Sequence, residues 1–150
     1  MGAEITVDVS GSTLDRWIGN TQGYWANARN DTAGTHIDAT QEDKNTAMAA
    51  LYYPPEISVS RVFLYFDLSV IPAGKTCVSA TISLGGLNTC GSQATIQEGT
   101  QGDPVTVSDF SKFTGAILSQ VTWVVSGAGG SNLNVFTLNA TGRTYIQSVF

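Results

Sequence analysis

The residues that could do chemistry are few. His36 is the only histidine in 150 residues, so histidine-based metal clusters are excluded and a Ser/His/Asp triad would have to use this ring. The residues around it read Ala-Gly-Thr-His-Ile-Asp. No serine sits in a nucleophile elbow, and Gly11-Ser12 lies in the wrong context for one. His36 is therefore expected to be a loop residue bonded to its local backbone. Carboxylates come next. Asp38, Glu42 and Asp43 cluster in one polar stretch with Asp31 nearby, but without the Asp-x-Asp-x-Asp-Gly spacing that gathers oxygens around calcium. A solvated acidic loop is expected there rather than a structural calcium ion, and no cofactor is expected. Glycoside hydrolysis selects paired carboxylates by their separation in space. Among twelve acidic residues some pair always looks suitable, so that signal carries no weight.

Aromatic residues offer binding chemistry instead, because a flat ring packs against the apolar face of a pyranose. The candidates are Trp17, Tyr24, Trp25, Tyr52, Tyr53, Tyr65 and Trp123. Tyr24-Trp25 beside a loop and Tyr52-Tyr53 before a proline pair are the best placed to be exposed and to contact a ligand. Phe66 and Phe136 alternate in phase with core positions. Arg61 and Asp67 fall on one face of a strand but about 20 Å apart at ~3.3 Å per residue, so they cannot pair with each other. Each is expected to meet a partner on a neighbouring strand or loop, as half-buried charges must.

The composition frames these candidates. Net charge is −5, and charged residues make up 13% of the chain. That is about half the usual share. Thr, Ser, Asn, Gln and Gly fill the deficit, a surface common in extracellular sandwiches, fibres and virion proteins. The seven basic residues, Arg16, Arg29, Lys44, Arg61, Lys75, Lys112 and Arg143, are scattered, so no basic footprint for nucleic acid is present. No apolar stretch approaches the roughly 20 residues of a membrane-spanning helix, and no membrane insertion is expected. The opening Met-Gly-Ala-Glu-Ile-Thr has neither a basic n-region nor an apolar h-region, so no secretory signal is expected. A trimmed chain fits this, and so does a phage structural protein released by lysis.

The elements that must position these residues are strands. Period-2 alternation and turn signals dominate. Residues 4–9 alternate cleanly, and Gly19 to Gly23 breaks the segment that follows. A short strand is expected over 24–29, then a polar loop from Asn30 to Asn45 with one short strand at 35–39. Residues 46–53 read equally well as helix or strand, ended by Pro54-Pro55. Ser58 to Leu68 is the clearest strand, with Val62, Leu64, Phe66 and Leu68 on one face. Ile71-Pro72-Ala73-Gly74 makes a turn. Over 77–84, Val78, Ala80, Ile82 and Leu84 face inward. Further strands are expected at 93–98, 104–107, 120–126 and 133–138, a helical turn capped by Ser108 at 108–113, and a helical turn or last strand at 141–148. If 77–84 and 90–97 pair as a hairpin, Cys77 and Cys90 stand about 20 Å apart, far beyond the ~7 Å limit for a bridge. Two free, half-buried thiols are expected, although the objection weakens if the second segment crosses to another sheet.

About eight short antiparallel strands with little helix point to an all-β fold, a two-sheet sandwich of jelly-roll type in a single domain over 1–150. The run Arg61-Val-Phe-Leu-Tyr-Phe-Asp-Leu-Ser69, then Ile71-Pro72-Ala73-Gly74, then Val78-Ser-Ala-Thr-Ile-Ser-Leu84 resembles the DNRLRE-type family of extracellular and phage-associated β-sandwich modules. Trp25 to Gly34, Val107 to Phe110 and Phe136 to Gly142 are similar to flanking segments of such modules. The resemblance implies a jelly roll found in secreted, cell-surface and virion-associated proteins, some treated as carbohydrate-binding. It brings no catalytic motif and makes Arg61 and Asp67 framework residues. Such modules continue past the Tyr145-Ile146 region with a short closing strand, whereas this chain stops at Phe150, so either the last strand lies elsewhere or a sheet edge stays open for a strand from a neighbouring subunit or from the rest of a longer polypeptide.

The expected function is that of a non-enzymatic structural or adhesive module of a virion fibre, a decoration protein or an extracellular surface assembly. It would work as a homo-oligomer or beside neighbouring subunits. The alternative is a carbohydrate-binding module of a secreted or cell-surface protein, with a glycan as partner and Tyr24, Trp25, Tyr52 and Tyr53 as contacts. A hydrolase with a hidden carboxylate site stands third.

Overall fold

The computed structural model describes residues 6–9, 15–37, 50–53, 56–85, 93–124 and 133–149. The chain is mainly β. In order it forms β1 (Arg16–Gln22), α1 (Trp25–Asn30), β2 (His36–Ile37), β3 (Ala50–Tyr53), β4 (Glu56–Phe63), β5 (Thr81–Gly85), β6 (Gln93–Gly99), β7 (Phe113–Thr122), β8 (Leu133–Thr137) and α2 (Ala140–Ser148). Among the described residues the strands form three hydrogen-bonded sheets, one four-stranded in the order β2-β1-β4-β3 and two pairs, β5-β8 and β6-β7. Every pairing is antiparallel.

Several expectations change. β1 runs straight through the residues expected to break it, because seven consecutive residues pair with β4, from Arg16 opposite Phe63 to Gln22 opposite Ile57. Gly19 is needed within it for close approach: a Cβ there would lie 2.0 Å from His36 Nε2 and 2.8 Å from Trp17 Cζ3. The segment expected as a strand over 24–29 is the helix α1. Two alanines and an arginine favour helix there, and the buried Ala28 offers its carbonyl to Asn20 Nδ2 at 3.1 Å. Residues 6–9 belong to no sheet among the described residues, although Val7 and Val9 are half-buried while Thr6 and Asp8 are exposed. The acidic residues Asp38, Glu42 and Asp43, together with Cys90, lie outside the described residues.

β4 starts earlier and ends sooner than the alternation suggests. Its continuation is drawn off the sheet by two tertiary bonds: Tyr65 N donates to Asp15 Oδ1 at 2.8 Å, and Tyr65 Oη donates to the Gly102 carbonyl. Asp67 Oδ1 then accepts from Ser69 N at 2.9 Å and opens a short 3₁₀ turn over Leu68–Val70. The face that buries carries Phe63, so Phe66 is only half-buried and is not a core residue. Phe136 is core, as expected, at 1% exposure. The Ile71–Gly74 turn is completed by Gly74 at φ +75°.

β5 is shorter than 77–84, and Val78 is 65% exposed rather than inward. Its partner is β8, with Thr81 opposite Thr137 and Gly85 opposite Leu133, so the hairpin of 77–84 with 90–97 does not form and the distance argument built on it lapses. Cys77 is a free, half-buried thiol. No strand forms over 104–107. Thr106 caps a 3₁₀ turn at Val107–Asp109 in place of the helix expected from Ser108, because the Asp109 carboxylate accepts from Thr106 N at 2.8 Å and from Gly102 N at 3.4 Å. The last segment is helix: Asn139 caps α2 by accepting from Gly142 N at 3.0 Å, while its own Nδ2 donates to Ile117 O on β7 at 2.7 Å.

Two hydrophobic clusters result. Ile18, Phe63, Val105 and Phe110 join β1 and β4 to the segment between β6 and β7. Ala94, Trp123 and Phe136 join β6, the end of β7 and β8, with Ile82, Leu84, Ile96 and Val121 packed around them. Asn134, 3% exposed, ties the second group together by donating to Val124 O at 3.0 Å and accepting from Val124 N at 2.9 Å.

Candidate functional site

One end of the four-stranded sheet collects the candidate aromatics. Gln22, the last residue of β1, pairs with Ile57 of β4, and Ile57 pairs with Tyr52 of β3. Two inter-strand steps of ~4.8 Å put Gln22 and Tyr52 roughly 10 Å apart in one row. Tyr53 is next along β3, opposite Glu56. Gly23 then turns the chain from Gln22 into Tyr24 and α1. Gln22 and Tyr52, 30 positions apart in the chain, are thus brought to one end of the sheet by strand pairing alone. Tyr24 is 75% exposed and Trp25 45% exposed, which is the exposure expected of them. For Tyr52 and Tyr53 the backbone of β3 alone is described.

Beside this edge lies a recess of about 350 Å³ lined by Gln22, Ala26, Asn27, Asn30 and Asp31. Helical spacing explains its wall. At 100° per residue Ala26, Asn27 and Asn30 share one side of α1, while Trp25, Ala28 and Arg29 share the other. Trp25 therefore stands at the same end of the sheet but not on the recess side. The floor is a network of side chains: Asp31 Oδ2 accepts from Asn20 Nδ2 at 3.4 Å and from Gln22 Nε2 at 3.3 Å, and Gln22 Nε2 also donates to Asn20 Oδ1 at 3.3 Å. Asn20 is fully buried, so the network is anchored beneath the helix. Sequence reading named Asp31 only as a loop acid and missed Gln22, Asn27 and Asn30. Neutral amides carry no motif, and their grouping needed α1 in place of a strand.

The framework residues are placed differently from one another. Arg61 reaches the segment before β7: its Nη1 donates to Phe110 O and its Nη2 to Arg29 O, both at 2.5 Å. Its guanidinium lies 3.9 Å from the Phe110 ring centre and 4.8 Å from that of Phe113. Burial, and then the neighbouring Arg29 cation, hold its pKa below the ordinary guanidinium value. Asp67 is exposed and serves its own turn, not a neighbouring element. The Ser69 hydroxyl, then the Ser69 N–H, keep its carboxyl below the usual range.

His36 packs edge-on to Trp17, ring centres 5.0 Å apart at 80°, and shares a hydrogen bond of 3.1 Å with the Thr35 hydroxyl. Its near partner is thus a side chain, where a backbone group was expected. Among the described residues no three His, Cys, Asp or Glu side chains gather as metal ligands. No helix among them is long and apolar enough to cross a membrane. Compared with known proteins, the chain matches no family model, no curated protein and no solved structure.

Proposed function

We propose that this chain is a non-catalytic adhesive module, of jelly-roll type, in a virion or extracellular surface assembly, and that it attaches to a saccharide at the α1 end of the four-stranded sheet. The observation that carries this is the recess of about 350 Å³ walled by three amides and one carboxylate, at the end of the sheet that also bears the exposed Tyr24. Amide-rich walls offer the hydrogen-bond partners that sugar hydroxyls need, and a nearby exposed ring offers an apolar face. The resemblance around Arg61–Ser69 points the same way. The test is titration of the isotope-labelled chain with oligosaccharides, followed by amide resonances. Saccharide-dependent shifts confined to residues 20–31 and the β3 edge are expected. Binding that leaves those amides unmoved, or no binding across a broad glycan panel, would overturn the reading.

The assembly half of the proposal rests on β8, where Leu133 and Val135 alternate onto one face and are 51% and 49% exposed. Light scattering at micromolar concentration should give a mass above that of one chain. A strict monomer would remove this half and leave the saccharide site intact.

A further inference from the structure

We infer that the recess selects a neutral saccharide, held through its hydroxyl groups, and that Asp31 turns anionic sugars away. This rests on the reading of the recess as a saccharide site and names what that site accepts. The argument is a count of the hydrogen-bonding capacity left over once the protein's own bonds are made.

Asp31 Oδ2 is filled by Asn20 Nδ2 and Gln22 Nε2, and Oδ1 accepts from Thr32 N at 2.9 Å. One lone pair remains, on Oδ1. Gln22 spends its amino group on Asn20 and Asp31, which leaves Oε1 as an acceptor. Asn30 Oδ1 accepts from Arg29 Nε at 2.9 Å, which leaves its Nδ2 group as a donor. Among the described residues the Asn27 side chain makes no bond to protein, so both its donor and its acceptor are available.

The unspent set is therefore mixed: acceptors on Gln22, Asn27 and Asp31, and amide donors on Asn27 and Asn30. Hydroxyl groups answer such a set, because each one both donates and accepts. A carboxylate, sulfate or phosphate would be pressed against Asp31, while the adjacent cation, Arg29, lies on the other side of α1 and spends its Nε on Asn30 Oδ1 instead of lining the recess. An ammonium would satisfy the acceptors but would leave the two amide donors facing a cation with nothing to accept them. Neutral polyols, above all hexose rings, can use every group.

The experiment is calorimetric titration of the full chain with neutral oligosaccharides, with uronate or sialylated oligosaccharides of matched length, and with an alkyl diamine. The wild-type chain should prefer the neutral series at least tenfold. Asn27→Ala, at a side chain without a protein partner, should weaken neutral binding roughly fivefold, as expected for loss of one or two hydrogen bonds to neutral groups. Asp31→Asn should narrow the gap between neutral and anionic ligands. Equal or tighter binding of the anionic series, or binding of the diamine alone, would overturn the neutral-sugar assignment while keeping a functional recess. Neutral binding unaffected by Asn27→Ala would also overturn it. No saccharide bound by the wild-type chain would overturn the function proposed above as well.

Discussion

Replacing Arg61 tests whether one side chain fastens the first half of the chain to the segment before β7. The guanidinium makes two bonds to carbonyl oxygens, on Phe110 and Arg29, from opposite ends of its planar fork. Hydrogen bonds from charged donors contribute about 1.5–3 kcal/mol each, and a half-buried position belongs at the lower end of that range. Ring contact with Phe110 and Phe113 adds about 0.5–1 kcal/mol. Arg61→Met, which keeps the apolar stem but loses both bonds and the cation, should thus cost about 3–4 kcal/mol. Arg61→Lys keeps the charge, but a single ammonium cannot span both carbonyls, so about 2 kcal/mol should be lost. Equilibrium urea unfolding at neutral pH, followed by tryptophan fluorescence, measures both. Two variants within about 0.5 kcal/mol of wild type would refute the fastening role. A lysine variant equal to wild type beside a crippled methionine variant would show that charge, not the fork, is what matters.

Asp109 gives a pH test. Its burial acts to raise the carboxyl, but the Thr106 N–H and hydroxyl, the Gly102 N–H and the Lys112 cation outweigh this and hold it below the usual range. A depressed folded pKa stabilises the protein above the unfolded value of about 3.9, and that stabilisation disappears as pH falls through the folded value. The stability gap between wild type and Asp109→Asn should therefore be full at pH 7 and close in acid below about pH 4, as read by urea midpoints across that range. Two glycines, Gly19 in β1 and Gly34 just before β2, should differ. At Gly34 a Cβ would lie 2.3 Å from Ile18 Cγ2 and 2.8 Å from the Gly19 carbonyl, whereas at Gly19 it meets only side-chain atoms, of the exposed His36 ring and of Trp17 at 2.8 Å. Gly34→Ala should cost about 2 kcal/mol or more and Gly19→Ala about 1 kcal/mol, compared by thermal melting, because the ring can swing aside and the backbone cannot.

The legible parts of this chain were those where local pattern and tertiary structure agree. Strand and turn signals found β6, β8 and most of β4, and Pro72 with Gly74 marked the turn between β4 and β5. The failures share a cause. β1 crosses Gly19 and β4 stops at Phe63 because pairing and side-chain bonds from distant residues, Asp15 and Gly102 among them, outweigh the local signal. At the candidate site, Tyr24 and Trp25 stood out as large rings beside a loop. Gln22, Asn27 and Asn30 did not, since an amide gains meaning only from what it faces, and what these face depends on a six-residue helix. Arg61 was recognisable as a framework residue, but its partners lie 32 and 49 positions away and belong to backbone groups, which leave no mark in a sequence.

The two hydrophobic clusters have a consequence for dividing the chain. The first draws on Ile18, Phe63, Val105 and Phe110, and the second on Ala94, Trp123 and Phe136. Their contributors interleave: Ala94 comes before Val105 and Phe110, yet belongs to the other cluster. No single nick separates the chain into two pieces that each keep an intact cluster. A cut ahead of Ala94 strips the first cluster of Val105 and Phe110, and a cut after Phe110 leaves Ala94 apart from its partners. Fragments made by one cut between Phe63 and Trp123 should complement each other when mixed rather than persist alone, and the crossing segment, closed by Thr100 N on the Lys112 carbonyl at 3.1 Å, is the thread that sews the two clusters into one cooperative unit.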